Sequence, residues 1–62
     1  MIAKRTARYA AQQAYRLMMF NGRYQSRYAN LDCKVEYVDG AAFVTVNDGA
    51  ETLTIKAAKS WL

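Results

Sequence analysis

Residues 31–57 read LDCKVEYVDGAAFVTVNDGAETLTIKA, and the placement of two Asp-Gly pairs in this run decides the fold. Asp39-Gly40 and Asp48-Gly49 are each strong signals for a two-residue hairpin loop, because the favoured primed turns need positive φ at their central residues. With Asp39-Gly40 as the first loop, Val38 faces Ala41, Tyr37 faces Ala42, Val35 faces Val44 and Cys33 faces Val46. With Asp48-Gly49 as the second, Val46 faces Glu51, Val44 faces Leu53 and Ala42 faces Ile55. The two alignments agree. They gather Cys33, Val35, Tyr37, Ala42, Val44, Val46, Leu53 and Ile55 on one face, and Asp32, Lys34, Glu36, Phe43, Thr45, Thr52, Thr54 and Lys56 on the other. A loop length wrong by one residue would mix the faces, so the spacing predicts strands near 31–38, 41–47 and 50–57.

Upstream, residues 2 to about 20 lack Gly and Pro and are dense in Ala, Arg, Gln, Leu and Met, the strong helix formers. Asn21-Gly22 then offers the left-handed stop that ends many helices. At about 100° per residue, Ala3, Ala7, Ala10, Ala11, Ala14, Leu17 and Met18 share one arc, and Lys4, Arg5, Arg8, Gln12 and Arg16 share the opposite one. Alanine removes little apolar surface from water but lets another backbone approach closely. The partner of this arc is expected to be the chain's own sheet, with a self-paired alanine seam in a homodimer as the alternative. Residues 21–30 form a connector that fits one helical turn or a strand equally well, because Arg23/Arg27 and Tyr24/Tyr28 align at i,i+4 in either. The fold class is therefore α+β: an N-terminal amphipathic helix on a three-stranded antiparallel meander, α-β-β-β, in one small domain spanning residues 1–62. Trp61 and Leu62 are expected to cap the end of the core.

The length of 62 residues leaves room for one thin core, so stability is expected to be marginal or shared with a partner. With a single cysteine and no histidine, neither an internal disulfide nor a Cys/His zinc set can form, and a reducing cytoplasmic setting is the expectation. The longest strongly apolar stretch, Leu17–Phe20, is far shorter than a membrane span needs. No metal or cofactor is expected. Catalysis is also hard to assemble here. The commonest general base is missing, Ser26 and Ser60 lie in no nucleophile elbow, Cys33 falls on the inward strand face, and Asp39 and Asp48 read as turn formers. The chain reads as a non-enzyme.

Binding chemistry is available instead. The net charge is +4, but residues 1–30 hold six cations and no acid, whereas residues 31–62 carry a net −2. The candidate contact residues are Lys4, Arg5, Arg8, Gln12 and Arg16 on the helix, continued by Arg23, Tyr24, Arg27 and Tyr28, where rings alternate with guanidinium groups. Six arginines outnumber three lysines, and guanidinium pairs bidentately with phosphate or carboxylate and stacks on rings. Nucleic acid is the favoured partner, with arginines on phosphates and Tyr24 or Tyr28 on unpaired bases. The alternative is a small inhibitor or adaptor of the kind phages and plasmids encode, which blocks a larger host protein through an acidic surface on that protein. A membrane-surface role is disfavoured, because an alanine face is too weakly apolar to insert.

Overall fold

The computed structural model describes residues 2–62. Helix α1 spans Lys4–Asn21 and is followed by strands β1 (Gln25–Tyr28), β2 (Leu31–Val38), β3 (Ala41–Asn47) and β4 (Thr52–Lys56), then a short 3-10 turn at Lys59–Trp61. The four strands form one antiparallel sheet in the order β1-β2-β3-β4. The helix ends where its chemistry predicts. Gly22 sits at φ 69 in the left-handed region, its N–H donates to the Met18 carbonyl at 3.1 Å, and the Arg23 N–H donates to the Leu17 carbonyl at 3.3 Å. At the other end Ala3 supplies no side-chain cap. The chain is held there by buried Ile2, whose N–H donates to the Glu51 carboxylate at 2.7 Å.

Two expectations about the sheet need correction. The architecture is α-β-β-β-β and not α-β-β-β, because residues 25–28 of the connector form a strand paired with β2. Its turn is Ala29-Asn30, with Ala29 at φ 55, a conformation that a non-glycine residue seldom adopts and that its identity does not advertise. The first Asp-Gly hairpin has the expected register, with Asp39 at φ 53 and Gly40 at φ 80. The second does not: Val46 pairs with Leu53 and Val44 with Ile55, two residues beyond the expected partners. Side-chain oxygens explain the longer loop. Asn47 Oδ1 accepts the Gly49 N–H at 2.6 Å, and Asp48 Oδ1 accepts those of Ala50 and Glu51 at 2.8 and 2.7 Å. The Asp48 N–H in turn donates to the Glu51 carbonyl at 3.2 Å, closing a loop of residues 48–51. A shift of two preserves side-chain parity, so Leu53 and Ile55 still face the helix.

The helix lies across the apolar face of the sheet, and the alanine arc is what lets it sit close. Ala7, Ala10 and Ala11 are fully buried, Ala14 nearly so, over Cys33, Val35, Val44 and Val46. Cys33 Sγ lies 3.9 Å from the Ala10 carbonyl oxygen, a side-chain contact with the helix backbone itself. These alanines are occupied by the chain's own sheet. Ala3 is exposed and Leu17 only half-buried, while Tyr15, which the arc omits, joins the core. Tyr15 meets Trp61 edge-on with ring centroids 6.1 Å apart, and Trp61 is buried as a cap should be, whereas Leu62 is exposed. Tyr37 has inward parity but is exposed beyond the end of the core, its hydroxyl 3.7 Å from Met18 Sδ.

Candidate nucleic-acid interface

The cations of α1 are placed by the same periodicity that buries its alanines. Because the alanine arc faces the sheet, Lys4, Arg5, Arg8 and Arg16 are exposed and Gln12 is half-buried. Lys4 and Arg8 border a groove of about 340 Å³ between α1 and β4, whose floor includes Ala7, Leu53, Ile55 and Trp61. Arg16 is anchored: its Nε–H donates to the Trp61 carbonyl at 2.6 Å, leaving the outer guanidinium nitrogens free to bind elsewhere. These five residues form one stripe along the helix.

The second half of the candidate set divides between the two sides of the sheet. Arg27 pairs across the strands with Asp32 on the open face, where its Nε lies 3.8 Å from the carboxylate. Tyr28 is opposite Leu31, on the helix side, and its ring packs 5.2 Å from that of Tyr9. The Tyr24 backbone carbonyl accepts the Val35 N–H at 2.8 Å just before β1 begins, and Tyr24 shares the parity of Tyr28. Arg23 follows the helix cap and is exposed. Arg27 and Tyr28 therefore do not reach one ligand surface, whereas Tyr24 and Tyr28 adjoin the helix.

Electrostatically the two sides differ. Among the described residues the carboxylate–cation pairs are Arg27–Asp32 and Lys34–Glu36, the latter at 3.2 Å, both on the open sheet face. Lys4, Arg5, Arg8, Arg16 and Arg23 have no carboxylate within salt-bridge distance. The first turn of α1 contains no acid, although a helix N-terminus favours anions and disfavours cations. Lys4 and Arg5 thus stand where they weaken the helix and satisfy nothing inside the domain.

Other reactive groups are muted. Burial, reinforced by neighbouring Asp32, pushes the Cys33 thiol above its ordinary range, which disfavours the nucleophilic thiolate. The Ala50 and Glu51 N–H groups hold the Asp48 carboxyl below its ordinary value, so this acid is committed to its loop. Among the described residues no cluster of three metal-ligating side chains occurs, and no helix is long and apolar enough to cross a membrane.

Sequence reasoning missed Tyr9 and Phe20. Both are exposed on α1, and each stands four residues after an arginine of the stripe, Arg5 and Arg16. That i,i+4 spacing was the available signal, since such residues are neighbours on a helix surface. The comparisons with known proteins add no further constraint: no protein-family model, curated protein or solved structure matches this chain.

Proposed function

We propose that this protein is a small non-catalytic binding protein that docks the arginine-rich face of α1 on an anionic macromolecule, with nucleic acid as the favoured partner. The observation that carries the reading is the set of exposed cations on α1 without carboxylate partners, two of them in a first turn where the helix dipole opposes them. Residues that cost local stability and meet no internal partner are explained by an external one, and a chain of phosphates is the densest source of negative charge available to it. The backbone N–H groups of the uncapped first turn point the same way, because they too favour an anion.

The alternative, an inhibitor or adaptor that blocks a larger host protein, uses the same cations against an acidic surface. A variant of it, against a target with a basic surface, would use the protein's own acids Asp32, Glu36, Asp39 and Asp48. Asp32 and Glu36 are paired and Asp48 is bound in its loop, which leaves Asp39 at the hairpin tip as the acid without such a partner among the described residues. Direct binding to nucleic acid separates the partners, because salt weakens charge contacts with either one. If phosphates are bound, the logarithm of affinity falls linearly with the logarithm of salt, by roughly 0.7–0.9 per neutralised phosphate, and Arg8→Ala lowers the slope by about one contact. Fluorescence anisotropy with labelled DNA and RNA should give micromolar or better binding at low salt. Failure of every form to bind at about 50 mM salt would reject nucleic acid. A pull-down with and without nuclease would then identify the protein partner.

A further inference from the structure

Packing leaves one flank of the molecule aromatic. Phe20 is 72% exposed, Tyr24 50% and Tyr9 48%. Tyr9 and Phe20 are eleven residues apart, so they lie on one line of the helix about 16 Å long, and Arg5 and Arg16 lie on the adjacent line. Facing that line from the edge of the sheet, Tyr24 and Tyr28 share the helix side of β1, and the Tyr9–Tyr28 contact at 5.2 Å joins the two elements. The carboxylates lie elsewhere: Asp32 and Glu36 on the open sheet face, Asp39 in the β2–β3 turn, Asp48 and Glu51 in the β3–β4 loop.

Rings this exposed leave much of their apolar area in water, and a group of them on one flank of a small domain marks a contact surface. The kind of contact follows from their setting. Rings set among guanidinium groups, with no acid between them, suit a ligand that offers flat π-faces along a negatively charged backbone. A duplex buries its base faces in its own stack, so it would use the arginines and leave the rings idle. We propose that the α1–β1 flank is a stacking platform for single-stranded nucleic acid, with bases on Phe20 and Tyr24, the Tyr9–Tyr28 pair closing one end, and Arg5 and Arg16 on the phosphates. This rests on the nucleic-acid reading above and narrows it to unpaired strands.

The test compares labelled twelve-residue oligo-dT and oligo-U with a DNA duplex of the same length, using the whole protein and the variants Phe20→Leu, Tyr24→Leu and Arg8→Ala. The ring variants keep an apolar side chain at exposed positions, and circular dichroism checks that they fold. Each ring variant should weaken single-strand binding at least about fivefold and leave duplex binding unchanged. Binding of either single strand with this pattern supports the platform, and the tighter one names the sugar. If both ring variants leave single-strand affinity unchanged while Arg8→Ala weakens every form, the platform is wrong and the nucleic-acid reading survives. Equal losses on strand and duplex also overturn it. If no form binds, the platform and the reading beneath it fall together.

Discussion

The two faces of the sheet are built from alternate residues of the same strands, yet they obey opposite rules. The covered face holds Cys33, Val35, Val44 and Val46 under the helix alanines, without a charged side chain. One residue along each strand, the open face holds Asp32, Lys34, Glu36 and Thr45, with Asp32 paired across the strands to Arg27, Glu36 paired along the strand to Lys34, and Lys56 of β4 unpaired. Helix α1 repeats the division, alanine inward and arginine outward, but its outward charges have no partners. The difference teaches that unmatched charge is concentrated on one surface: among the charged strand residues Arg27, Asp32, Lys34 and Glu36 are paired and Lys56 is not, whereas none of the helix cations has a carboxylate partner.

The sharpest way to break this comparison is to put one charge on each face. Val44 is fully buried at the centre of the sheet. Val44→Asp should unfold the protein, because an unpaired buried carboxylate costs several kcal/mol against the about 3–5 kcal/mol that a core of this size supplies. Thr45→Asp, on the open face, should shift stability by no more than about 0.5 kcal/mol. Circular dichroism melts check both, and the reverse result would mean that the faces are wrongly assigned.

A smaller effect separates the two arcs of α1. Ala10→Leu forces bulk between the helix and Cys33, 3.9 Å from the Ala10 carbonyl, and should destabilise by about 1–3 kcal/mol. Arg8→Leu on the outer arc should leave the urea midpoint nearly unchanged. A loss in Arg8→Leu equal to that in Ala10→Leu would show the outer arc to be structural.

Turn chemistry allows a gain. Ala29→Gly removes the strain of an L-residue at φ 55 and should raise stability by about 0.5–1 kcal/mol, read as a higher melting temperature. No gain would mean that the β1–β2 turn does not hold this conformation in solution, which would weaken the case for β1.

The smallest effect is one of pH. The folded state holds the Asp48 carboxyl below its ordinary value, through N–H donors from Ala50 and Glu51. Its stabilisation is therefore complete above the unfolded value of about 3.9 and is lost as pH falls through the lower folded value. Asp48→Asn keeps an acceptor oxygen but cannot titrate, so its acid-side decline should be shallower than that of the natural chain. Parallel acid titrations followed by near-ultraviolet circular dichroism compare the two slopes.

For the site, the helix stripe was legible because a single periodicity orders it: once the alanines face the sheet, Lys4, Arg5, Arg8 and Arg16 must face away. Arg23, Tyr24, Arg27 and Tyr28 were legible as residue types but not as a surface. Their i,i+4 spacing holds on a helix and on a strand alike, and only pairing with β2 sends Arg27 to one side and Tyr28 to the other. Tyr9 and Phe20 were hidden for the opposite reason. A ring on a helix can pack or stay bare, and Tyr15, six residues from Tyr9, is buried while Tyr9 is half exposed.

Local chemistry by itself determined the helix and its glycine stop, the first Asp-Gly hairpin, and the division of β2, β3 and β4 into an apolar and a polar face. Each follows from interactions among residues close in sequence or from a parity that a register error of two leaves intact. Tertiary structure decided the fourth strand, the four-residue loop at Asp48–Glu51 and the surface on which each aromatic ring stands. Gln25–Tyr28 is too short and too polar to declare itself a strand, and becomes one because the exposed edge of β2 supplies its hydrogen bonds. The side chains of Asn47 and Asp48 capture backbone N–H groups that a two-residue turn would leave in water, so the same Asp-Gly dipeptide closes two different loops.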